Sequence, residues 1–380
     1  MSNESSNELI VKPAPHISGP MSKKRMMQYT LIALVIITAV SAAIWFTVPV
    51  TNMMTGTTSL DLGVTVIIGA LIAVGVAVGA EVLLHKLVSD SELNIWSAAV
   101  FGMIVIDSYT LGLPTMNISV GPPVASPEAF VFIALISVIG LVVFKKVQGV
   151  AGRKLVNPAA AAKLVVLVPL IGATFLATEH LSTGMLGVPS LAGPIGAGVA
   201  QVGTNGMASF ATYMTGCFAN PAVMPPDPTV ENLFSMMLLN KYHGWVGGAS
   251  SLAVIIVGTA LFAIGRKYFK WRITASYLIA ATAMSLIMST AFGDIDLITR
   301  LTFTLFIGSS IFLAFFMATD PATTPLTGTG QIIFGVGLAV LCVLMQTYMN
   351  FFGASIVALL IMNLTVPLLD KVGIHKSFGR

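Results

Sequence analysis

The sequence predicts an all-α polytopic membrane protein of about ten transmembrane helices, and three observations predict it. Of its 380 residues 56% are hydrophobic and 9% are charged, with a mean hydropathy of +0.92. A soluble domain carries roughly 25% charged residues. Long uncharged apolar stretches recur along the whole chain, and a helix needs about 20 such residues to cross the hydrocarbon core. Lysine and arginine fall in alternate connections between those stretches, as the positive-inside rule requires of a chain that crosses repeatedly.

The elements follow in order. Residues 1–28 form a polar tail. The first apolar run, 29–50, is too long for the 7–15-residue core of a signal peptide and lacks a clear cleavage site, so it reads as a spanning anchor. Further spans lie near 62–84, 94–113, 128–144 and 158–178, which completes a first half at 29–178. A long connection, 179–244, is rich in Gly, Pro, Thr, Met and Asn and poor in charge. Disorder favours high charge and low hydrophobicity, so this connection is expected to fold over the membrane surface or dip into it. Spans near 245–265, 273–292, 301–318, 331–349 and 352–369 make a second half at 245–370, and 371–380 is a short tail.

With the N-terminus inside, the inner segments contain Lys12, Lys23, Lys24, Arg25, Lys86, Lys145, Lys146, Arg153, Lys154, Arg266, Lys267, Lys270, Arg272, Lys371, Lys376 and Arg380, which is 16 of 19 basic residues. Lys241 and Arg300 fall outside, and Lys163 falls within a span. The bias supports an even number of spans with both termini cytoplasmic. Two halves of five spans have opposite orientations, the arrangement of inverted-repeat carriers. The inner connection 319–330 stands apart, because it has Asp320 and no Lys or Arg.

Several function classes are excluded or weakened. The net charge of +4 reflects membrane orientation and does not point to nucleic acid. Cys217 and Cys342 form no disulfide framework and cannot hold an iron–sulfur cluster, which usually takes four ligands. His16, His85, His180, His243 and His375 show no metal-ligand spacing.

Residues 315–325 hold the most information about function. They place Asp320, Thr319, Thr323 and Thr324, with Thr327 beyond, and Pro321 and Pro325 where an apolar helix stops. An acid and freed backbone groups persist at membrane depth where they line a cavity, a ligand or an ion path. Asp107, in the third span, is a second intramembrane acid, costly unless paired, protonated or bound to a cation. Asn157 and Pro158 open the fifth span as a cap and a first-turn proline, and four alanines after them permit close helix approach. Lys163, about one and a half turns further in, either snorkels to the cytoplasmic edge or serves as counter-charge to a flavin ring, a phosphate or a carboxylate. Glu81, with His85 one turn later, suits an interfacial role, and Glu128 suits a helix start. In the long outer connection, Ser209, Phe210, Ala211 and Thr212 stand among small residues and read as a turn with local hydroxyl bonds.

Several segments together resemble the RnfD/NqrB family, the large membrane subunits of Rnf-type ferredoxin-oxidising complexes and of sodium-pumping NADH:quinone oxidoreductase. Residues 315–325 resemble the family block F-M-A-T-D-P-V-T-S-P, with Ala322 for Val and Thr324 for Ser. Gly330, Gln331, Ile332, Ile333, Phe334 and Gly335 are similar to the G-R-x-I-F-G that follows it. Val156, Asn157, Pro158 and Ala159 resemble F/V-N-P-A, residues 358–370 resemble A-I-L-L-M-N-x-x-V-P-L-I-D, and Pro15, His16 and Ile17 resemble an amino-terminal P-H-I. The likeness runs in matching order from about residue 12 to the C-terminus and is closer to RnfD than to NqrB; at Lys163 the NqrB pattern has Arg.

The resemblance implies FMN joined through its phosphate to a threonine of a D-x-x-S/T-G-A-T-like motif in the outer connection. Its best local match is Ser209 to Thr212, about 60 residues before Trp271, Arg272 and Ile273, which resemble the family's W-R/H-I-P. Phe210 stands where the family has Gly, Asn205 near its Asp, and Tyr213 in place of Pro. Thr212 is the expected acceptor, with Ser209 and Ala211 beside it and Thr204 or Thr215 as substitutes. The resemblance also implies partner subunits, among them an FMN-bearing subunit and iron–sulfur subunits, with Na⁺ or H⁺ as the transported ion and ferredoxin as electron donor. Asn157, Lys163, Thr319, Asp320 and Thr323 are candidates for a second flavin, such as riboflavin; Asp107 and Asp320 are ion-path candidates. The other readings are the NqrB component of a sodium-pumping NADH:quinone oxidoreductase and a permease or channel of the same fold without a redox cofactor.

Overall fold

The computed structural model describes residues 22–46, 62–87, 93–109, 128–147, 154–177, 238–239, 245–266, 268–292, 297–306, 310–349 and 354–372. The described residues form helices and turns, with no β-strand among them. The chain is an all-α polytopic membrane protein. On length and composition, Lys23–Ile44, Leu62–Leu87, Ala129–Lys146 and Gly328–Met345 can each cross a membrane, and shorter apolar helices lie at five of the other predicted positions, all but 301–318.

The first half contains α1 (Lys23–Ile44), α2 (Leu62–Leu87), α3 (Ile95–Asp107), α4 (Glu128–Ile139) running into a π-helical segment Gly140–Val147, and α5 (Pro158–Ala177). A 3₁₀ turn, Val246–Gly248, leads into α6 (Ser251–Ile264), α7 (Trp271–Phe292), α8 (Leu297–Phe306), α9 (Ser310–Phe312) with a π-helical turn Leu313–Met317, α10 (Gly328–Met349) and α11 (Ala354–Leu369). Local chemistry sets several starts. Ser22, Asn94 and Ser250 cap α1, α3 and α6 by accepting from the backbone N–H three residues on.

The packing of the first half recurs in the second. α2 lies against α3 and α4, as α7 lies against α8 and α10; α4 lies against α5, as α10 lies against α11. The halves meet where α1 packs on α6 and α5 packs on α11. These pairs hold corresponding positions in the two five-span halves, as a pseudo-two-fold arrangement requires. Glycines allow the closest approaches. A Cβ on Gly102 would lie 2.7 Å from the Val74 Cα, and one on Gly335 would collide with the hydroxyl of Ser276 and the backbone of α7. Without hydrophobic drive between helices in lipid, such small-residue contacts supply much of the packing. Large apolar side chains such as Leu71, Val131 and Ile279 are exposed on the outside, where lipid tails would cover them.

One end of the bundle gathers the segments that the charge count assigns to the inner side. Glu81 is buried and pairs with Lys146 at 2.6 Å and Lys145 at 3.9 Å, and its carboxylate accepts from the Asn94 N–H. Lys270 donates to the Pro321 and Thr324 carbonyls and to the Thr324 hydroxyl. Asp370 accepts from the Leu326 N–H at 2.7 Å. The connection without a basic residue of its own is thus held by lysine from the neighbouring connection, and its Thr323, Thr324 and Pro325 are buried.

Candidate functional site

In each half the helix of the third span ends at, or shortly before, an acidic residue. α3 has 13 residues, a length of about 20 Å at about 1.5 Å per residue, against a hydrocarbon core of about 30 Å. Its last residue, Asp107, is completely buried. In the second half, the expected span 301–318 is α8 followed by α9 and the π-helical turn ending at Met317, three residues before Asp320. Interrupted spans at matching positions of two halves are where carriers of this architecture build binding sites.

At the first break, the polar groups come from four elements. The Asp107 Oδ1 accepts from the Thr38 hydroxyl of α1 at 2.7 Å, whereas Oδ2 has no hydrogen-bond partner. The helix end leaves carbonyls free, as every helix C-terminus does. The Ser108 carbonyl accepts from the Lys163 ammonium of α5, and the Tyr109 carbonyl accepts from the Val246 N–H at 2.9 Å. Lys163 is buried and does not reach the edge of the bundle; its ammonium lies 4.7 Å from the ring centre of Trp245 and 5.8 Å from that of Tyr109. A cation suits this place, since it faces the negative end of the α3 dipole and the π-faces of two rings. The Ser41 hydroxyl secures the 3₁₀ turn by donating to the Val246 carbonyl at 2.8 Å. Gly247 lets that turn close over the acid, because a Cβ there would sit 2.8 Å from the Asp107 Cβ and 2.7 Å from the Phe312 ring.

At the second break, four of the expected residues come together. Asn157 caps α5, its Oδ1 accepting from the Ala159 and Ala160 N–H groups at 3.1 and 3.2 Å, and its Nδ2 donates to the Met317 carbonyl at 3.3 Å. With its amide oriented to suit its neighbours, Asn363 of α11 donates to the Thr323 carbonyl and accepts from the Asn157 N–H. The Thr319 hydroxyl donates to the Phe315 carbonyl, the Thr323 hydroxyl to the Asp320 Oδ2, and the Ala322 N–H to the Asp320 Oδ1. Thr274 of α7 adds a bond to the Ala314 carbonyl at 2.6 Å. These side chains bond one another and the broken helix, and none of Asn157, Thr319, Asp320 and Thr323 has a buried side-chain atom without a partner.

The four alanines after Pro158 are buried, and side chains on either side of them reach both helix ends. Asn157 serves the second break and Lys163, six residues on, serves the first. Ser209, Ala211 and Thr212 lie outside the described residues, as does most of the long connection. Among the described residues no group of His, Cys, Asp and Glu could hold a metal ion, and Cys342 is buried as a free thiol. Thr38, Ser41, Gly247 and Lys270 were not singled out from the sequence. A signal for the first two exists: Thr38 and Ser41 are three residues apart in the otherwise apolar stretch from Leu31 to Phe46, so they share a helix face.

A family model described as the NQR2, RnfD, RnfE family matches residues 10–379. The chain is 24% identical over 372 residues to the subunit designated D of the Na⁺-translocating ferredoxin:NAD⁺ oxidoreductase complex of Acetobacterium woodii, covering 98% of this chain and 95% of the relative. It is 26% identical over 377 residues to the subunit designated D of the ion-translocating oxidoreductase complex of Aeromonas salmonicida, with 95% and 97% covered. The corresponding subunit of Shewanella amazonensis is 28% identical over 280 residues, 70% of this chain and 76% of that one. A match that runs from residue 10 to 379, over both broken spans and the α5 entry, makes this chain a member of the NQR2, RnfD, RnfE family.

Proposed function

We propose that this protein is the flavin-bearing membrane subunit of an Rnf-type complex, which couples electron transfer from reduced ferredoxin to translocation of Na⁺ or H⁺. It works with partner subunits and is not active alone. Near-complete overlap with the corresponding subunit of two ion-translocating oxidoreductase complexes supports the membership. The single structural observation that supports ion coupling is that α3 stops short at Asp107, a completely buried acid with one unpartnered oxygen. Electrons must come through iron–sulfur and flavin-bearing partners, since two cysteines cannot ligate a cluster.

The covalent FMN is assigned to Thr212, with Ser209 and Ala211 beside it. When bound, FMN supplies one- and two-electron redox chemistry. The residues of this chain supply insulation and charge. Asp107, with an unpartnered oxygen in a buried setting, has a reason to take up a proton or a cation. Moving one such charge across 100 mV costs about 2.3 kcal/mol, which electron transfer must provide. A second flavin at the Asn157–Asp320 cluster would have to displace bonds that those side chains already make, so no role for that cluster is routed through a flavin.

A denaturing gel of the purified chain under ultraviolet light tests the cofactor assignment. In-gel flavin fluorescence that disappears in Thr212→Val supports it; fluorescence that persists moves the acceptor to another residue, such as Thr204 or Thr215. Its absence from the unaltered chain would remove the covalent flavin from the proposal. Redox-driven ion transport by the complex that is undiminished in Asp107→Asn would take Asp107 off the ion path.

A further inference from the structure

The Thr38 hydroxyl stands between two acceptors. Its oxygen lies 2.9 Å from the Leu34 carbonyl and 2.7 Å from the Asp107 Oδ1. Both are full hydrogen-bond lengths, but a hydroxyl carries one proton. Where Thr290 shares its proton between two carbonyls, those of Leu286 and Ile287, the contacts are longer, at 3.1 and 3.0 Å. Two short contacts are satisfied together when the acid supplies a second proton: its Oδ1–H donates to the Thr38 oxygen, and Thr38 donates to Leu34. An ionised Asp107 uses the same contact in the other sense. Thr38 then donates to Oδ1, and the Leu34 carbonyl keeps its ordinary helix bond from the Thr38 N–H. Oδ2 favours the first arrangement at rest. It is buried without a hydrogen-bond partner, which is far costlier for an ionised carboxylate than for the carbonyl oxygen of a neutral acid. Asp320 is the opposite case. Both its oxygens accept, from the Ala322 N–H and the Thr323 hydroxyl, and that hydroxyl has no second acceptor among the described residues.

We propose that Asp107 and Thr38 form a reversible proton site at the end of α3: Asp107 carries the proton at rest, Thr38 positions the acid in both states, and the ion taken is H⁺ and not Na⁺. On release the Oδ1–H bond breaks, the proton passes to solvent, and the Thr38 O–H turns from the Leu34 carbonyl to Oδ1. No heavy atom has to move, since both distances already suit. A hard cation gathers several oxygen ligands. The Asp107 carboxyl has one hydrogen-bond contact, Thr38, and no ion pair among the described residues. The 3₁₀ turn and α9 bring Gly247 and the Phe312 ring against it, neither of them ionisable. The titratable groups at this helix end are Tyr109 and Lys163, and the Lys163 ammonium donates to the Ser108 carbonyl. The proposal rests on the ion-coupling reading of Asp107 only for what the proton is used for; the proton site itself is read without electron transfer, flavin or partner subunits.

Infrared spectra of the full chain, purified in detergent, test this, because a protonated carboxyl has a C=O stretch that lies clear of the amide bands and moves in D₂O. At neutral pH the unaltered chain should show such a band, absent from Asp107→Asn, and the band should be lost reversibly as the pH is raised. Asparagine keeps an N–H donor for Thr38, so that variant retains the contact of the neutral acid. In Thr38→Val the band should move to higher frequency and survive to a pH higher by about one unit, because the bond to the charged form is the stronger of the two that are lost. Thr38→Ser should restore both, a rescue that a packing role for the threonine methyl would not give. Thr38→Ala carries the same test where the valine variant folds poorly, and the shift with its rescue identifies the band where Asp107→Asn does. Replacing choline chloride by sodium chloride at constant pH should leave the band unchanged. A carboxyl band that is absent at neutral pH, persists at every pH the chain tolerates, titrates alike in the unaltered and Thr38→Val chains, or is removed by sodium overturns the proposal. A titrating band together with undiminished ion transport in Asp107→Asn upholds the proton site and takes it off the ion path, so the two readings fail separately.

Discussion

The side-chain amide of Asn157 donates to the carbonyl of Met317, 160 residues away, at 3.3 Å. One residue thus caps the start of α5 and secures the broken end of the eighth span. This bond ties the first half of the chain to the second at the level of the Asp320 turn.

Asn157→Ala should therefore lose more than a helix cap. The cap is worth about 1 kcal/mol, and the freed Met317 carbonyl adds about 1 kcal/mol more. Asn157→Asp keeps the cap acceptor but offers no N–H to Met317. Thermal unfolding of the purified chain should rank the unaltered protein above Asn157→Asp, and Asn157→Asp above Asn157→Ala.

The Thr38 hydroxyl is the hydrogen-bond donor to the buried Asp107 carboxylate. Thr38→Val has nearly the same shape and leaves both carboxylate oxygens without a partner, which should cost about 1–3 kcal/mol. Thr38→Ser retains the donor and should recover most of the loss. Equal midpoints for the valine and serine variants would show that this bond contributes nothing to stability.

Glycine substitutions separate a packed turn from open helix surface. Gly247→Ala pushes a methyl group against Asp107 and Phe312 and should destabilise the protein by about 1–3 kcal/mol. Gly75→Ala, on α2 with nothing within 4 Å of the added carbon, should be neutral or stabilising. The two variants, measured side by side by thermal unfolding, need no assumption about the absolute stability.

Sidedness can be read by labelling. In a Cys217→Ser background, a cysteine introduced by Lys371→Cys should react with a membrane-impermeant maleimide only after the membrane is opened from the cytoplasmic side. One introduced by Lys241→Cys should react from outside in intact cells. Labelling of both from the same side would contradict the odd number of spans expected between the long connection and the C-terminal end.

The residues that were legible in the sequence are those whose chemistry conflicts with a membrane interior. Asp107, Lys163 and the Asp320 turn each place a polar or charged group where lipid or packed helices are expected, and each proves to lie at or beside a helix break. Asn157 was legible as a cap because capping is local. Thr38 and Ser41 were not, because a hydroxyl inside a span can bond its own helix four residues back, as Thr38 also does to the Leu34 carbonyl. Lys270 was counted only as a marker of orientation, since nothing in the chain order brings it to Thr324.

Whereas the sequence placed the third span at 94–113 and the structure ends that helix at Asp107, the sequence by itself determined the fold class, the order of the apolar segments and the stop before the Asp320 turn. These depend on hydropathy, charge bias and backbone-breaking residues, all of which act within one segment of chain. Only the tertiary structure decided which polar group answers which. It sent Lys163 to the Ser108 carbonyl in preference to the membrane edge, joined Asn157 to Met317, and left one oxygen of Asp107 without a partner. The physical reason is that a buried polar group must find a partner among whatever elements packing brings near it, and those elements lie 55 to 160 residues away along the chain.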